Sequence, residues 1–180
     1  GTTSNGYIRA NAGVLVIGPG MTIRTGTQGG QLGQFGTMRN EGLVLSGTAG
    51  KTLTMNSSTQ WVNAEAATLA AKSGGTLTLN GPWANAGTLL LADGTMNLGG
   101  AFNSGSIAPD RWQRTGGTAN ITGTMTNTGA TFQLNAMTGT INLTGGTING
   151  GTIVTADGAA LALPGGSSGT FSGGVTVDTN

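Results

Sequence analysis

The sequence predicts an all-β fold wound as a parallel β-helix (β-solenoid) of about eight coils, and three observations carry that expectation. Apolar and polar residues alternate over short runs, as in "GGTLTLN" at 74–80, which is the period of a strand with one buried face. Gly, often with Asn, closes nearly every run. The runs then restate one another at intervals of roughly twenty residues, the length of one structural coil.

The corners come first. Asn-x-Gly or a near copy recurs at Asn11, Asn40, Asn63 (where the triplet is Asn-Ala-Glu), Asn85, Asn103 and Asn127, spaced by 29, 23, 22, 18 and 24 residues. Equivalent Asn side chains at one corner of successive coils would form an amide ladder along the axis. The Gly two places on lets the chain turn without a Cβ clash, and both residue types tolerate positive φ.

The strands follow from alternation. Leu77 and Leu79 share the inner face, with Thr76 and Thr78 outside. Leu89, Leu91, Met96, Leu98, Ile121, Ile141 and Leu143 continue the inner set. Residues 64–74, "AEAATLAAKSG", fit a short helix ending at Gly74 or a strand of the same coil. An antiparallel β-sandwich is the alternative, because Asn5-Gly6, Asn80-Gly81 and Asn149-Gly150 are hairpin dipeptides. The units resemble one another rather than mirrored pairs, which favours parallel stacking. Residues 1–180 read as a single solenoid domain, whole or a segment of a longer chain. Neither end carries an obvious cap, so coils are expected to meet further coils there.

The runs "NAGTLLLADGTMNLGGAFNSGSI" and "GGTANITGTMTNTGATFQLNAMTGTINLTGGTINGGTIVTADGAALALPGG" resemble the degenerate repeats of bacterial secreted and surface β-solenoid proteins. These are the autotransporter-adhesin and filamentous-haemagglutinin-like group. The likeness covers most of the chain and is best from residue 63 onward. It implies an extracellular, non-catalytic stalk or fibre, and it carries over no catalytic residue.

Composition narrows the chemistry. Only 7% of the residues are charged, against about 25% in an average domain. Seven Lys and Arg face six Asp and Glu, with no basic stripe, so nucleic acid is not an expected partner. The absence of His and Cys removes Ser-His-Asp and Cys-His nucleophiles, thiol redox chemistry and the usual zinc sites. No run approaches the ~20 apolar residues of a membrane span. Gly-Gly pairs read as corners rather than phosphate cradles, and no Gly-rich Asp repeat suggests calcium. No cofactor and no metal are expected. "NSS", "NIT" and "NLT", from Asn56, Asn120 and Asn142, match the glycosylation triplet in a chain where Asn and Thr are abundant.

Two features could hold a ligand. Residues 108–114, "APDRWQR", concentrate Asp110, Arg111, Trp112 and Arg114 in what reads as a loop leaving the coils. Trp61 and Trp83 occupy the same place in successive units and read as an aromatic stack between coils, or as a sugar platform. With Asp93, Asp157 and Asp178, the acidic residues also raise a polysaccharide-degrading site, the least favoured reading. The expected function is therefore a structural extracellular or cell-surface fibre or stalk, with a glycan-binding module as the alternative. Its partners would be other copies of itself, neighbouring segments of a longer chain, or a glycan.

Overall fold

The computed structural model, which describes residues 5–179, is a parallel β-solenoid with three faces. The first face is an eight-stranded sheet running from Gly6–Ile8 through Gly30–Gln34, Thr52–Ser57, Thr76–Leu79, Thr95–Leu98, Thr118–Ile121 and Ile141–Leu143 to Leu161–Ala162. Every pairing in it is parallel. Eight rungs, wound in about seven turns, agree closely with the expected eight coils. At about 4.8 Å per rung they make a rod roughly 38 Å long.

The second face stacks Val14–Ile17, Thr37–Asn40, Trp61–Asn63 and Trp83–Asn85. The third stacks Thr22–Arg24, Leu43–Ser46, Thr68–Lys72, Thr88–Ala92 and Trp112–Arg114. A fourth sheet then carries both faces onward. Ala101–Asn103 pairs with Thr124–Thr126, which pairs with the front of the long strand Thr147–Thr155, and Thr131–Leu134 pairs with its back. The register shifts between Asn149 and Gly151, where Gly150 and Gly151 take φ of 71° and 73°. Those left-handed values let one strand bend around a corner that a residue with a Cβ would strain.

The core is a column of aliphatic side chains, one set per rung. Leu53, Leu77, Met96, Ala119 and Ile141 rise along the first face, all buried. Thr, favoured in strands by its β-branch, takes the outward positions between them. The 64–74 stretch resolves as the strand Thr68–Lys72, because Leu69 fills the column of Val44 and Leu89, and Ala71 that of Ser46 and Leu91. Asn80-Gly81 and Asn149-Gly150 make no hairpin: Gly81 turns at φ 72° within a coil, and its flanking strands lie on different faces. Helical structure among the described residues is limited to two 3-10 turns, Ser104–Ile107 and Pro109–Arg111.

Candidate functional site

The second face carries the densest side-chain chemistry. Asn40 Nδ2 donates to Asn63 Oδ1 at 2.7 Å, and Asn63 Nδ2 donates to Asn85 Oδ1 at 2.7 Å. Asn85 Nδ2 donates to the Ser106 carbonyl at 2.9 Å, which ends the ladder on a 3-10 turn. All three side chains are buried, so each amide bond replaces water that cannot reach it. Asn85 Oδ1 also accepts the Gly87 N–H at 3.0 Å, and Asn40 Oδ1 that of Gly42 at 3.2 Å. The Asn-x-Gly triplet is thus an Asx turn joined to its neighbours.

The ladder departs from the spacing in three ways. Asn127 is buried but donates to the Thr152 carbonyl at 3.0 Å, leaving its Oδ1 without a partner. Asn103 pairs with Thr126, one place before Asn127, and its side chain accepts the Ser106 N–H at 3.0 Å. Asn11 is exposed ahead of the strand Val14–Ile17, where Ile17 pairs with Asn40 in its place. Nor is positive φ the reason for Asn at the corners. Among the described residues only Ser73, Asp93 and Asp157 combine positive φ with a side chain; Asn serves through its amide, not its backbone. Gly87 is required by proximity, since a Cβ there would strike the Ala64 and Ala67 carbonyl oxygens of the preceding coil.

Beside the ladder runs an aromatic stack. Trp83 pairs with Trp61 in register, ring centroids 5.8 Å apart and planes 21° from parallel. Phe102 extends it at 4.6 Å and 20°. The sequence reading missed Phe102, although it follows Gly100 by two residues as Trp83 follows Gly81. The indole N–H of Trp61 donates to the Asn80 carbonyl and that of Trp83 to Gly99, both at 2.8 Å. Both tryptophans are at most 1% exposed. A sugar cannot lie on either ring, and the platform reading falls.

The 108–114 cluster is not a loop leaving the coils. After the 3-10 turn Pro109–Arg111, Trp112–Arg114 joins the third face, with Trp112 over Leu89 in the core. Trp112 is 4% exposed and donates to the Ile107 carbonyl at 3.1 Å. Arg111 donates from Nη1 to the Ala86 carbonyl, and its Nε lies 3.7 Å from the exposed Asp110 carboxylate. Arg114 braces three carbonyls: Thr138 at 2.6 Å, Thr140 at 2.8 Å and Gly117 at 2.8 Å. Partial burial lowers its pKa from the usual guanidinium value. Both arginines therefore tie coils together.

The acidic residues belong to separate segments. Asp93 turns at φ 56° after Thr88–Ala92, Asp110 sits in the 3-10 turn, Asp157 turns at φ 55° and accepts the Ala136 N–H, and Asp178 lies in Thr170–Thr179. Among the described residues, no three of His, Cys, Asp and Glu come together.

Two hollows open into the core at the ends of the rod. One, of about 370 Å³, lies against Tyr7, Ile8, Ile23 and Leu32; the other, of about 270 Å³, against Leu143, Leu161, Leu163 and Phe171. Compared with protein-family models, with curated proteins and with solved structures, the chain matches none.

Proposed function

We propose that this stacked β-coil protein is a rod segment of a secreted or cell-surface fibre or stalk. In this reading its end coils continue onto further coils, those of another copy or of a neighbouring stretch of the same chain. One observation carries the reading: the end rungs are exposed apolar strand edges. Ile8 is 43% exposed at one end, and Phe171 and Val177 are 51% and 58% exposed at the other, although each stands in register with a buried core residue, Leu32, Ile148 and Ile153 in turn. Among the described residues, each first-face end strand is paired on one side only. An edge of this kind is a template for another strand. Because the two ends differ, their union is heterologous, and stacked along the rod axis it does not close, so repeated docking gives a filament.

The low charge and the likeness to bacterial surface solenoids support the extracellular setting. Electron microscopy of the purified chain over a concentration series tests the reading. Filaments with a subunit repeat of about 38 Å, eight rungs of about 4.8 Å, are the expected result. Monodisperse short rods at every concentration would rule out self-assembly and leave continuation within one longer chain as the remaining form of the reading.

A further inference from the structure

The outward side of the first face carries two columns of hydrogen-bonding side chains in strict register. Thr52, Thr76, Thr95 and Thr118 pair in succession and form one column. Thr54, Thr78, Asn97, Asn120 and Asn142 form the other. Neighbours in a column stand about 4.8 Å apart, and the columns, two residues apart along each strand, about 6.6 Å. The five strands that present them contain no charged and no aromatic residue.

The array is also held still. Asn142 Nδ2 donates to Asn120 Oδ1 at 3.0 Å, Asn120 Nδ2 to Asn97 Oδ1 at 2.8 Å, and Asn97 Nδ2 to Thr78 Oγ1 at 3.2 Å. Thr is stiff at χ1, and buried Leu53, Leu77, Met96 and Ala119 fix the strands from beneath. The Thr52, Thr76, Thr95 and Thr118 hydroxyls have no hydrogen-bond partner within the described chain, and none is buried.

We propose that this face adsorbs to ice. A fixed two-dimensional lattice of neutral hydroxyl, methyl and amide groups selects a partner that is itself a lattice. The rung spacing lies close to the oxygen repeat within a layer of hexagonal ice. One hydroxyl gains little by exchanging liquid water for ice, since each bond replaces another. Many positions engaged at once, on side chains with little rotamer freedom left to lose, discriminate the solid from the liquid. Charged mineral surfaces find no counter-charge here, and a polysaccharide surface finds no aromatic face to stack on. The inference is independent of the fibre reading, because the array lies on the flank of the rod and not at its ends.

The test uses the purified chain. Wild-type protein is frozen slowly and its partition into the growing ice is measured, together with thermal hysteresis. Thr95→Tyr, in the middle of the first column, and Thr118→Lys, near its end, are compared with Thr88→Tyr on the third face. Circular dichroism and Tm identify the folded variants, and Thr118→Lys, at an exposed position, serves if Thr95→Tyr does not fold. Incorporation of wild type and Thr88→Tyr into ice, with loss in either column variant, is the expected result. Exclusion of wild type from the ice overturns the proposal, as does equal behaviour of all variants. Sedimentation of wild type with crystalline cellulose or chitin but not with ice also overturns it and reassigns the lattice to a polysaccharide.

Discussion

Asn63 sits between two copies of itself: it accepts from Asn40 and donates to Asn85, both at 2.7 Å. Its loss takes one buried bond from each neighbour, leaving Asn85 Oδ1 with the Gly87 N–H at 3.0 Å and Asn40 Nδ2 with the Gly42 and Thr68 carbonyls at 3.3 Å. Asn63→Ala is therefore expected to cost about 2–4 kcal/mol, more than one ordinary hydrogen bond, because two short bonds are lost where water does not replace them. Urea unfolding measures it. Asn120→Ala breaks two comparable bonds at a half-buried position, where water replaces the partner, and should cost under about 1 kcal/mol. Equal losses would show that the inner ladder has no special weight.

Trp83 is the middle ring of a three-ring stack. Trp83→Ala opens a cavity against Trp61 and Phe102 and should cost about 3–5 kcal/mol. Trp83→Phe, which keeps a ring but leaves the Gly99 carbonyl without its donor, should fall between that variant and wild type. Thermal unfolding of the three proteins gives the order.

Glycine at 87 is a matter of space. Gly87→Ala meets two carbonyl oxygens of the coil before it, and backbone displacement of that kind costs about 1–3 kcal/mol or more. Gly18 has nothing within 4 Å of a built Cβ and no positive φ, so Gly18→Ala should be neutral or stabilise by up to about 1 kcal/mol through the unfolded chain. Matched denaturation curves distinguish the two.

Arg114→Lys keeps a positive charge and loses the planar fork that reaches the Thr138, Thr140 and Gly117 carbonyls. An ammonium cannot span all three, and a loss of about 1–3 kcal/mol is expected. The guanidinium pKa is lowered in the fold, so the folded state binds its proton less tightly than the unfolded one. Any contribution to stability from this shift would grow as pH rises, and only in the strongly alkaline range. Between about pH 5 and 9 the difference between Arg114→Lys and wild type should therefore stay constant; a Tm series across that range checks it.

Much of this architecture was legible because its rules are local and repeated. Leu77 and Leu79 announce an inner face by alternation, and Trp61 and Trp83 announce their stacking by sharing a place in successive units. What the spacing hid was register. Asn103 sits at a plausible interval from Asn85, yet it follows Phe102 by one residue where Asn63 and Asn85 follow their tryptophans by two, so it faces outward and caps the turn Ser104–Ile107 rather than extending the ladder. Trp112 was obscured by the inserted 3-10 turns: three residues after Pro109 and between Arg111 and Arg114 it reads as surface, while its pairing with Leu89 places it in the core. The outward Thr and Asn columns were visible residue by residue. Their alignment depends on which strand lies on which, and that is a property of the stack.

Each rung of the eight-stranded sheet meets only the one before and the one after, so length here comes in whole units. Removing the stretch from Thr76 to Gly94, which starts and ends at the same corner of the first face, should let Thr95 descend onto Thr52 with the winding intact. A molecule built this way is a ruler: evolution or an engineer can lengthen or shorten it by ticks of about 4.8 Å without redesigning what lies on either side.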